Sequence, residues 1–451
     1  MAHSRKSKSI SLLCHVQAVL HTHIKPDDQL AIALSGGVDS VVLLHALYTL
    51  SGEIPFSLTA VHVNHGISRN ASLWSQFCSD LCRSYGIPID IACLQLNKES
   101  GISLEALARE ERYRIFSRTQ ADYVVLAHHL DDQAETLLLQ LLRGAGIKGL
   151  SGMPWIRKQS STAAPQLLRP LLEVTRDQIE AYAQQHRLKW IYDESNDSIA
   201  YNRNFLRHEI LPVLKKRYPG YGKTLLRTSR HLSEASQLLD ELAEIDSTDC
   251  LVSGKLAVDK MRALSSSRAK NLLRYILNQQ NITLPSTVKL EEILKQLLSS
   301  STDSQIHIRF GDTAIRCFKG LIHIFPEEVT LQAPRPSQFI WQGQLPLTLT
   351  HLDGTVSFTE TGSQGIDPQK ILNQSIALRT RQGGEHFKPA CNRPTRSLKN
   401  LLQEASIPPW QRRILPLLFC NDRLIWVPGI GIDCDFQVKS GETGILPIWN
   451  S

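Results

Sequence analysis

Several features that would assign a chain of this kind to a familiar class are missing. The sequence has nine cysteines, an odd number, with no C-x-x-C pair; only Cys78 and Cys82 lie close together. This argues against a cysteine-ligated zinc or iron–sulfur site and against a disulfide framework, and predicts reduced thiols. No apolar run approaches the ~18 residues that a membrane span needs. Arg5, Lys6 and Lys8 precede the apolar stretch Ile10–Leu20, but His15 and Gln17 interrupt it and no small-residue cleavage site follows. That segment reads as an amphipathic first helix, not a signal peptide. No lysine stands in the one glycine turn that follows an apolar run, so a Walker A loop is excluded. No internal repeat of fixed period is found.

What remains is ordinary in bulk. The 451 residues are 42% hydrophobic and 21% charged, with a net charge of +7. That length suggests two to four domains. The basic excess permits a polyanionic partner without requiring one.

The chain is organised around Ser35-Gly36-Gly37-Val38-Asp39-Ser40. It follows the apolar run Leu30–Leu34, a buried strand by composition, and leads into the helical pattern Val38–Leu50. A strand, a small-residue turn and a helix N-terminus make an anion site, because free N–H groups and the positive helix end converge. Gly36 and Gly37 allow a phosphate to approach the backbone. Ser35 and Ser40 offer hydroxyls. A carboxylate in a phosphate cradle calls for a cation, so Asp39 reads as a Mg²⁺ partner.

Residues 30–130 alternate strand and helix patterns. Strands are predicted at Leu30–Leu34, Leu58–Asn64, Ile87–Leu94 and Tyr123–Ala127, with helices at Val38–Leu50, Ala71–Tyr85 and Ser103–Thr119. This order predicts an α/β domain with a parallel sheet covered on both faces. Ligands bind such sheets beyond the carboxyl ends of the strands. A helix at Thr175–His186 and a basic helix with Arg203, Arg207, Lys215, Lys216 and Arg217 complete a first domain, 1–217. A helical middle domain is expected at 222–325, with helices Thr224–Ile245, Ser266–Asn278 and Ser286–Leu298. Ile306–Phe310 and Leu321–Phe325 read as a hairpin or a small sheet. Residues 327–375 read as short strands in an irregular linker, and 376–449 as a small α+β domain with a helix at Ser397–Ala405.

His128-His129-Leu130-Asp131-Asp132-Gln133-Ala134-Glu135 opens a helix at the end of a strand. Asp131 or Asp132 would serve as its N-cap. Three carboxylates and two imidazoles exceed what a cap needs, so the cluster is a candidate for holding Mg²⁺ or accepting a proton from an amine. It is not HExxH, and zinc is not indicated. His62-Val63-Asn64-His65-Gly66 ends the second strand and suggests nucleotide or substrate contact. Arg109 and Arg112, on a helix, are placed to meet phosphate or carboxylate, although Glu105 and Arg109 also suit a surface pair. Gly144–Gly149 matches G-x-G-x-x-G but follows a helix, and no helix pattern starts after it. It reads as a glycine loop beside the site, not a dinucleotide fingerprint. Basic groups at Arg203–Arg217, Arg227–Arg230 and Arg379–Arg413 suit either solvated faces or RNA phosphates.

The Ser35–Ser40 hexapeptide resembles the pyrophosphate loop of the N-type ATP pyrophosphatases. Taken with His62–Gly66, Ala108-Arg109, Arg112-Tyr113, His128–Thr136, Leu142–Met153, Arg169–Leu172, Asp193–Asp197, Arg203-Asn204-Phe205, Leu378–Gly384 and Leu398–Val427, it resembles the bacterial tRNA(Ile)-lysidine synthetases. The likeness is dense over residues 28–217 and sparse over 222–375. It implies a PP-loop α/β domain, a helical middle domain and a small C-terminal tRNA-binding domain. It implies a cytoplasmic ligase that uses ATP and Mg²⁺ to join L-lysine to the wobble cytidine of a tRNA(Ile) with a CAU anticodon. The loop Ser35, Gly36, Gly37, Val38, Asp39 and Ser40 would hold pyrophosphate. Asp39 and Asp131 or Asp132 would stand near Mg²⁺, and Asp39, Arg109, Arg112, His129, Asp131, Asp132 and Glu135 would carry the chemistry. An acid from Asp132 or Glu135 would bind or deprotonate the lysine ammonium. The oligomeric state is left open, a homodimer included. The rival reading is a PP-loop tRNA thiolation enzyme of the 2-thiocytidine type, against which the missing C-x-x-C counts.

Overall fold

The computed structural model describes residues 11–66, 68–94, 104–159, 164–299, 306–326, 337–343, 347–351, 354–362, 364–439 and 441–450. Arg5, Lys6, Lys8, Ile10 and Ser103, and the side chain of Glu105, lie outside the described residues. The chain forms two compact units, residues 1–248 with 271–281, and residues 249–270 with 282–451.

In the first unit α1 (Leu12–His23) precedes β1 (Gln29–Ala33), α2 (Val38–Leu50), β2 (Ser57–Asn64), α3 (Ala71–Tyr85) and β3 (Ile89–Cys93). There follow α4 (Leu104–Phe116), β4 (Tyr123–Val125), α5 (Leu130–Leu142), α6 (Ile147–Leu150), β5 (Ile156–Arg157), β6 (Gln166–Leu168) and α7 (Arg176–Gln185). The sheet order is β3-β2-β1-β4-β6-β5, parallel except where β5 runs against β6. Leu30, Ile32, Val125 and Leu168 enter one core, and Ala31, Val61, Val124 and Leu167 enter the other. Both faces are therefore buried, which is why these strands read as unbroken apolar runs. β2 and β3 extend the sheet on one side of β1, and β4 and β6 on the other. The switch point falls between β1 and β4, where such sheets place their ligands.

The predicted helices α2 and α3 appear with the expected ends; β1 is shifted by one residue, β2 begins one residue earlier, β3 is three residues shorter and β4 two residues shorter. β5 and β6 had no prediction; strands of two and three residues carry too little pattern to be read. The helix α5 begins at Leu130 with His129 as N-cap, so neither Asp131 nor Asp132 is the cap. Asp132 sits at N3 and its carboxylate accepts the His129 N–H at 3.0 Å. A helical turn does start within the glycine loop: Gly146 is the N-cap of α6. After α7 come α8 (Asn202–Phe205), one π turn (Leu206–Ile210), α9 (Leu211–Arg217) and the long α10 (Tyr221–Cys250).

The second unit carries a five-stranded antiparallel sheet in which Thr313–Phe318 pairs with both His307–Phe310 and Leu321–Pro326. Of the two expected arrangements the small sheet is the one formed, because a third strand lies between the two that were read. Trp410 seats against Phe318, His323 and Phe325 of this sheet. The stretch read as short strands in an irregular linker does form strands, Ser337–Ile340, Leu347–His351 and Gly354–Thr361, paired among themselves and with Ser375–Arg379 and Gly444–Asn450. Trp341, Val356 and Phe358 are fully buried there, so this stretch is core, not connection. Cys391 and Cys434 are joined as a disulfide with Cα atoms 5.2 Å apart, contrary to the expectation of thiols throughout. The two cysteines are 43 residues apart, and only folding brings them together. No helix among the described residues is long and apolar enough to cross a membrane.

Candidate active site

The loop between β1 and α2 is braced from within. The Ser40 hydroxyl donates to the Gly37 carbonyl at 2.9 Å and accepts from the Ser35 N–H at 3.2 Å. The two hydroxyls lie 3.1 Å apart. Both are therefore engaged in holding the turn. The first intrahelical bond runs from the Val41 N–H to the Gly37 carbonyl at 3.0 Å, leaving the Val38, Asp39 and Ser40 N–H groups without intrahelical acceptors. Those N–H groups, not the hydroxyls, remain to meet an anion. Gly36 has φ +86°, and a Cβ there would meet the Ile191 side chain at 2.7 Å. The Ile191 N–H also donates to the Gly36 carbonyl at 2.9 Å. Glycine is required both by the left-handed backbone and by that close approach.

The end of β4 brings the carboxylates to this loop. His129 is 3% exposed and stands among three aspartates. Its Nε2 is 3.7 Å from Asp39 and 3.5 Å from Asp132, and its Nδ1 is 3.7 Å from Asp131. Burial disfavours its cation, but Asp132, Asp131 and Asp39 outweigh burial and raise its pKa. Glu135, fully buried, accepts from Arg203 Nε at 2.6 Å and Arg207 Nε at 2.6 Å. Asp132 accepts from the same two residues at 2.8 and 3.3 Å. Burial opposes the Asp132 charge, yet His129 and Arg203 overcome it and hold the carboxyl far below the usual range. Asp39 is gripped by Arg176 Nη1 at 2.8 and 2.6 Å, and burial, ahead of His129 and Arg176, pushes its pKa up. Asp131 accepts the Arg176 N–H at 2.8 Å and the Tyr221 hydroxyl at 3.2 Å.

Asp39, His129, Asp131, Asp132 and Glu135 are thus brought together. Arg109 and Arg112 are not in that group: both lie over the Tyr113 ring, at 5.3 and 5.9 Å. His62 has a structural place, with Nδ1 2.8 Å from the Leu34 carbonyl and Nε2 3.1 Å from the Ser75 hydroxyl. One further residue of the site escaped the sequence reading, and two were read without a place in it. Arg176 gave no signal beyond opening a helix. Arg203 and Arg207 were read within a basic run, yet their i,i+4 spacing puts both on one helix face, and that face meets Asp132 and Glu135. Among the described residues no three His, Cys, Asp or Glu side chains could by themselves hold a metal ion.

Comparison with known proteins agrees with this geometry. The family models that match are a PP-loop domain over residues 11–214, a TilS substrate binding domain over 256–323 and a TilS substrate C-terminal domain over 376–449. The tRNA(Ile)-lysidine synthase of Nitrosomonas europaea is 50% identical over 98% of this chain and 97% of its own length. That of Azoarcus sp. (strain BH72) is 38% identical over 94% and 92%. Among solved structures, a U34-tRNA thiolase from Methanococcus maripaludis aligns at 23% identity and TM-score 0.44, over 49% of this chain and 78% of that one.

Proposed function

The chain belongs to the tRNA(Ile)-lysidine synthase family, and on that premise we propose that it joins L-lysine to C2 of the wobble cytidine of a tRNA(Ile) with a CAU anticodon. The cytidine C2 oxygen attacks the α-phosphate of ATP and pyrophosphate leaves. The lysine ε-amine, as free base, then attacks C2, and AMP leaves with the former C2 oxygen. The product pairs with A instead of G, which changes the codon read from AUG to AUA. The cytidine must leave its stack to reach the site. Acting on tRNA, the enzyme works in the cytoplasm.

The observation that carries this reading is the junction of an open anion loop with a buried set of carboxylates and guanidiniums at one switch point. The N–H groups of Val38, Asp39 and Ser40 receive pyrophosphate. Arg203 and Arg207 use Nε and Nη2 on Asp132 and Glu135, which leaves Nη1 of each guanidinium for the charge that grows on the α-phosphate. Asp132, fixed as a carboxylate, attracts the lysine ammonium and does not act as the proton acceptor. Asp39 fits Mg²⁺: it is an oxygen donor at the loop whose charge a cation, Arg176, already meets, and Mg²⁺ takes one or two carboxylates plus phosphate oxygens. Asp132 fits less well, because the His129 N–H, Arg203 and Arg207 all hold its carboxylate, whereas a single guanidinium nitrogen holds that of Asp39. Mg²⁺ held by Asp39 would neutralise charge on the departing pyrophosphate.

Thiolation is disfavoured by the cysteines. Cys78 and Cys82 are fully buried, and burial pushes their thiols up to about 12 and about 11, so neither supplies a thiolate. The test is transfer of labelled L-lysine to unmodified tRNA(Ile) with Mg·ATP, with tRNA(Met) and Asp39→Ala beside it. Label entering tRNA(Ile) alone, and lost in the variant, is expected. Pyrophosphate release without lysine transfer would overturn the choice of nucleophile.

A further inference from the structure

The carboxylate cluster is not the only concentration of charge at this sheet edge. Arg109 and Arg112 on α4, and Arg157 on β5, place guanidinium carbons 5.3, 5.9 and 5.8 Å from the centre of the Tyr113 ring. Arg169, which follows β6, reaches the same tyrosine and hydrogen-bonds its hydroxyl. Arg169 is 2% exposed. Its Nη1 donates to the Pro154 carbonyl at 2.9 Å, and its Nε is buried with no hydrogen-bond partner. Among the described residues no carboxylate pairs with Arg109, Arg157 or Arg169. A buried guanidinium without a counter-charge is expensive, and a fold keeps such groups where an anion arrives. The neighbouring His128 feels Asp132 and Arg203 from one set of groups and Arg169 and Arg112 from the other. The cluster therefore adjoins the carboxylates, while Arg109, Arg157, Arg169 and Tyr113 share no hydrogen bond with the Ser35–Ser40 loop.

We propose that Arg109, Arg157 and Arg169, gathered on Tyr113 beside Arg112, form a second oxyanion site, separate from the pyrophosphate loop, that receives an oxyanion carried by a substrate. Given the lysidine reading on which this choice of sources rests, that group is either the α-carboxylate of L-lysine or a backbone phosphate of the RNA. Both suit the planar, multiply donating guanidinium, which a lysine side chain would not replace. Arg169 supplies the rigid, desolvated donor, and Arg109 and Arg157, both exposed, form the mouth.

The experiment uses the full chain with Arg157→Gln, Arg169→Gln and Arg169→Lys. Three probes are titrated: L-lysine, cadaverine (lysine without its carboxylate) and an unmodified tRNA(Ile) transcript at several salt concentrations. If the carboxylate is the group, L-lysine binding to the Gln variants weakens about 10- to 100-fold, the loss of one charge-assisted hydrogen bond. Cadaverine binding and the salt dependence with RNA then stay as in the wild type. If a phosphate is the group, L-lysine binding is unchanged. The slope of log Kd against log salt then falls by about 0.7–0.9 per charge removed, and KM for tRNA rises with kcat kept. Lysine at position 169 restores charge without the fork and rescues only part of either effect. Unchanged binding of all three probes, in variants that unfold as the wild type does, overturns the site. The exposed Arg157→Gln decides the matter if the buried variants fail to fold. A wild type that transfers no lysine to tRNA would sink the lysidine reading alone, since the salt slope still decides whether RNA phosphate is bound here.

Discussion

Two groups of arginines lie at the same edge of one sheet and are held in opposite ways. Arg203 and Arg207 are paired: between them they make five hydrogen bonds to Asp132 and Glu135. Arg109, Arg157 and Arg169 surround Tyr113, a residue that is neutral at physiological pH. The first group finds its counter-charge inside the protein. The second is complete only with something the chain does not supply. Arginine count or basic patterning cannot distinguish the two; the distinction lies in whether carboxylates from another element arrive beside them.

The largest expected effect tests the paired group. Glu135→Ala leaves two guanidiniums facing one carboxylate. Breaking a buried pair this way costs about 3–5 kcal/mol, so urea unfolding should show a midpoint far below that of the wild type. A midpoint shift typical of a surface change would show that Glu135 does not hold Arg203 and Arg207. Asp39 stands between the extremes, partly paired by Arg176 and partly exposed. Asp39→Asn should reduce tRNA-dependent pyrophosphate release about 10²–10³-fold, with little change in unfolding; full activity would separate Asp39 from the chemistry.

A smaller effect is expected from the tyrosine. Burial alone would raise the Tyr113 pKa, but Arg109, Arg169 and Arg112 together bring it below the ordinary 10. Its folded pKa is depressed, so the stability it contributes is present above pH 10 and is lost as pH falls through the folded value. At pH 7 it contributes none. Ultraviolet difference titration should show one tyrosine ionising ahead of the others, and Arg169→Gln should return it to the rest. No early tyrosine would mean that an unseen anion already balances the cluster. The smallest effect is Arg157→Gln on stability, within about 0.5 kcal/mol of wild type by urea unfolding. A loss of several kcal/mol would make this arginine structural and erase the contrast with Arg203.

The sequence alone determined the strand–loop–helix at residues 30–50, the parallel sheet and the carboxylate run at His128–Glu135. Each depends on local pattern: unbroken apolar strands, a glycine turn that admits no Cβ, and acids within one helical turn. Tertiary structure decided what these groups became. It turned Ser35 and Ser40 into braces, closed both ring nitrogens of His62 on the protein, and brought Arg176 to Asp39 across 137 residues. It also joined Cys391 to Cys434 and packed into the core the short strands of a stretch that read as an irregular linker. Hydrogen bonds and ion pairs between distant segments leave no periodic trace, because a donor is chosen by where its acceptor lies in space and not by its neighbours in the chain. The sequence shows that Arg203, Arg207, Arg157 and Arg169 carry charge. Only the fold decides which of those charges is met inside the protein.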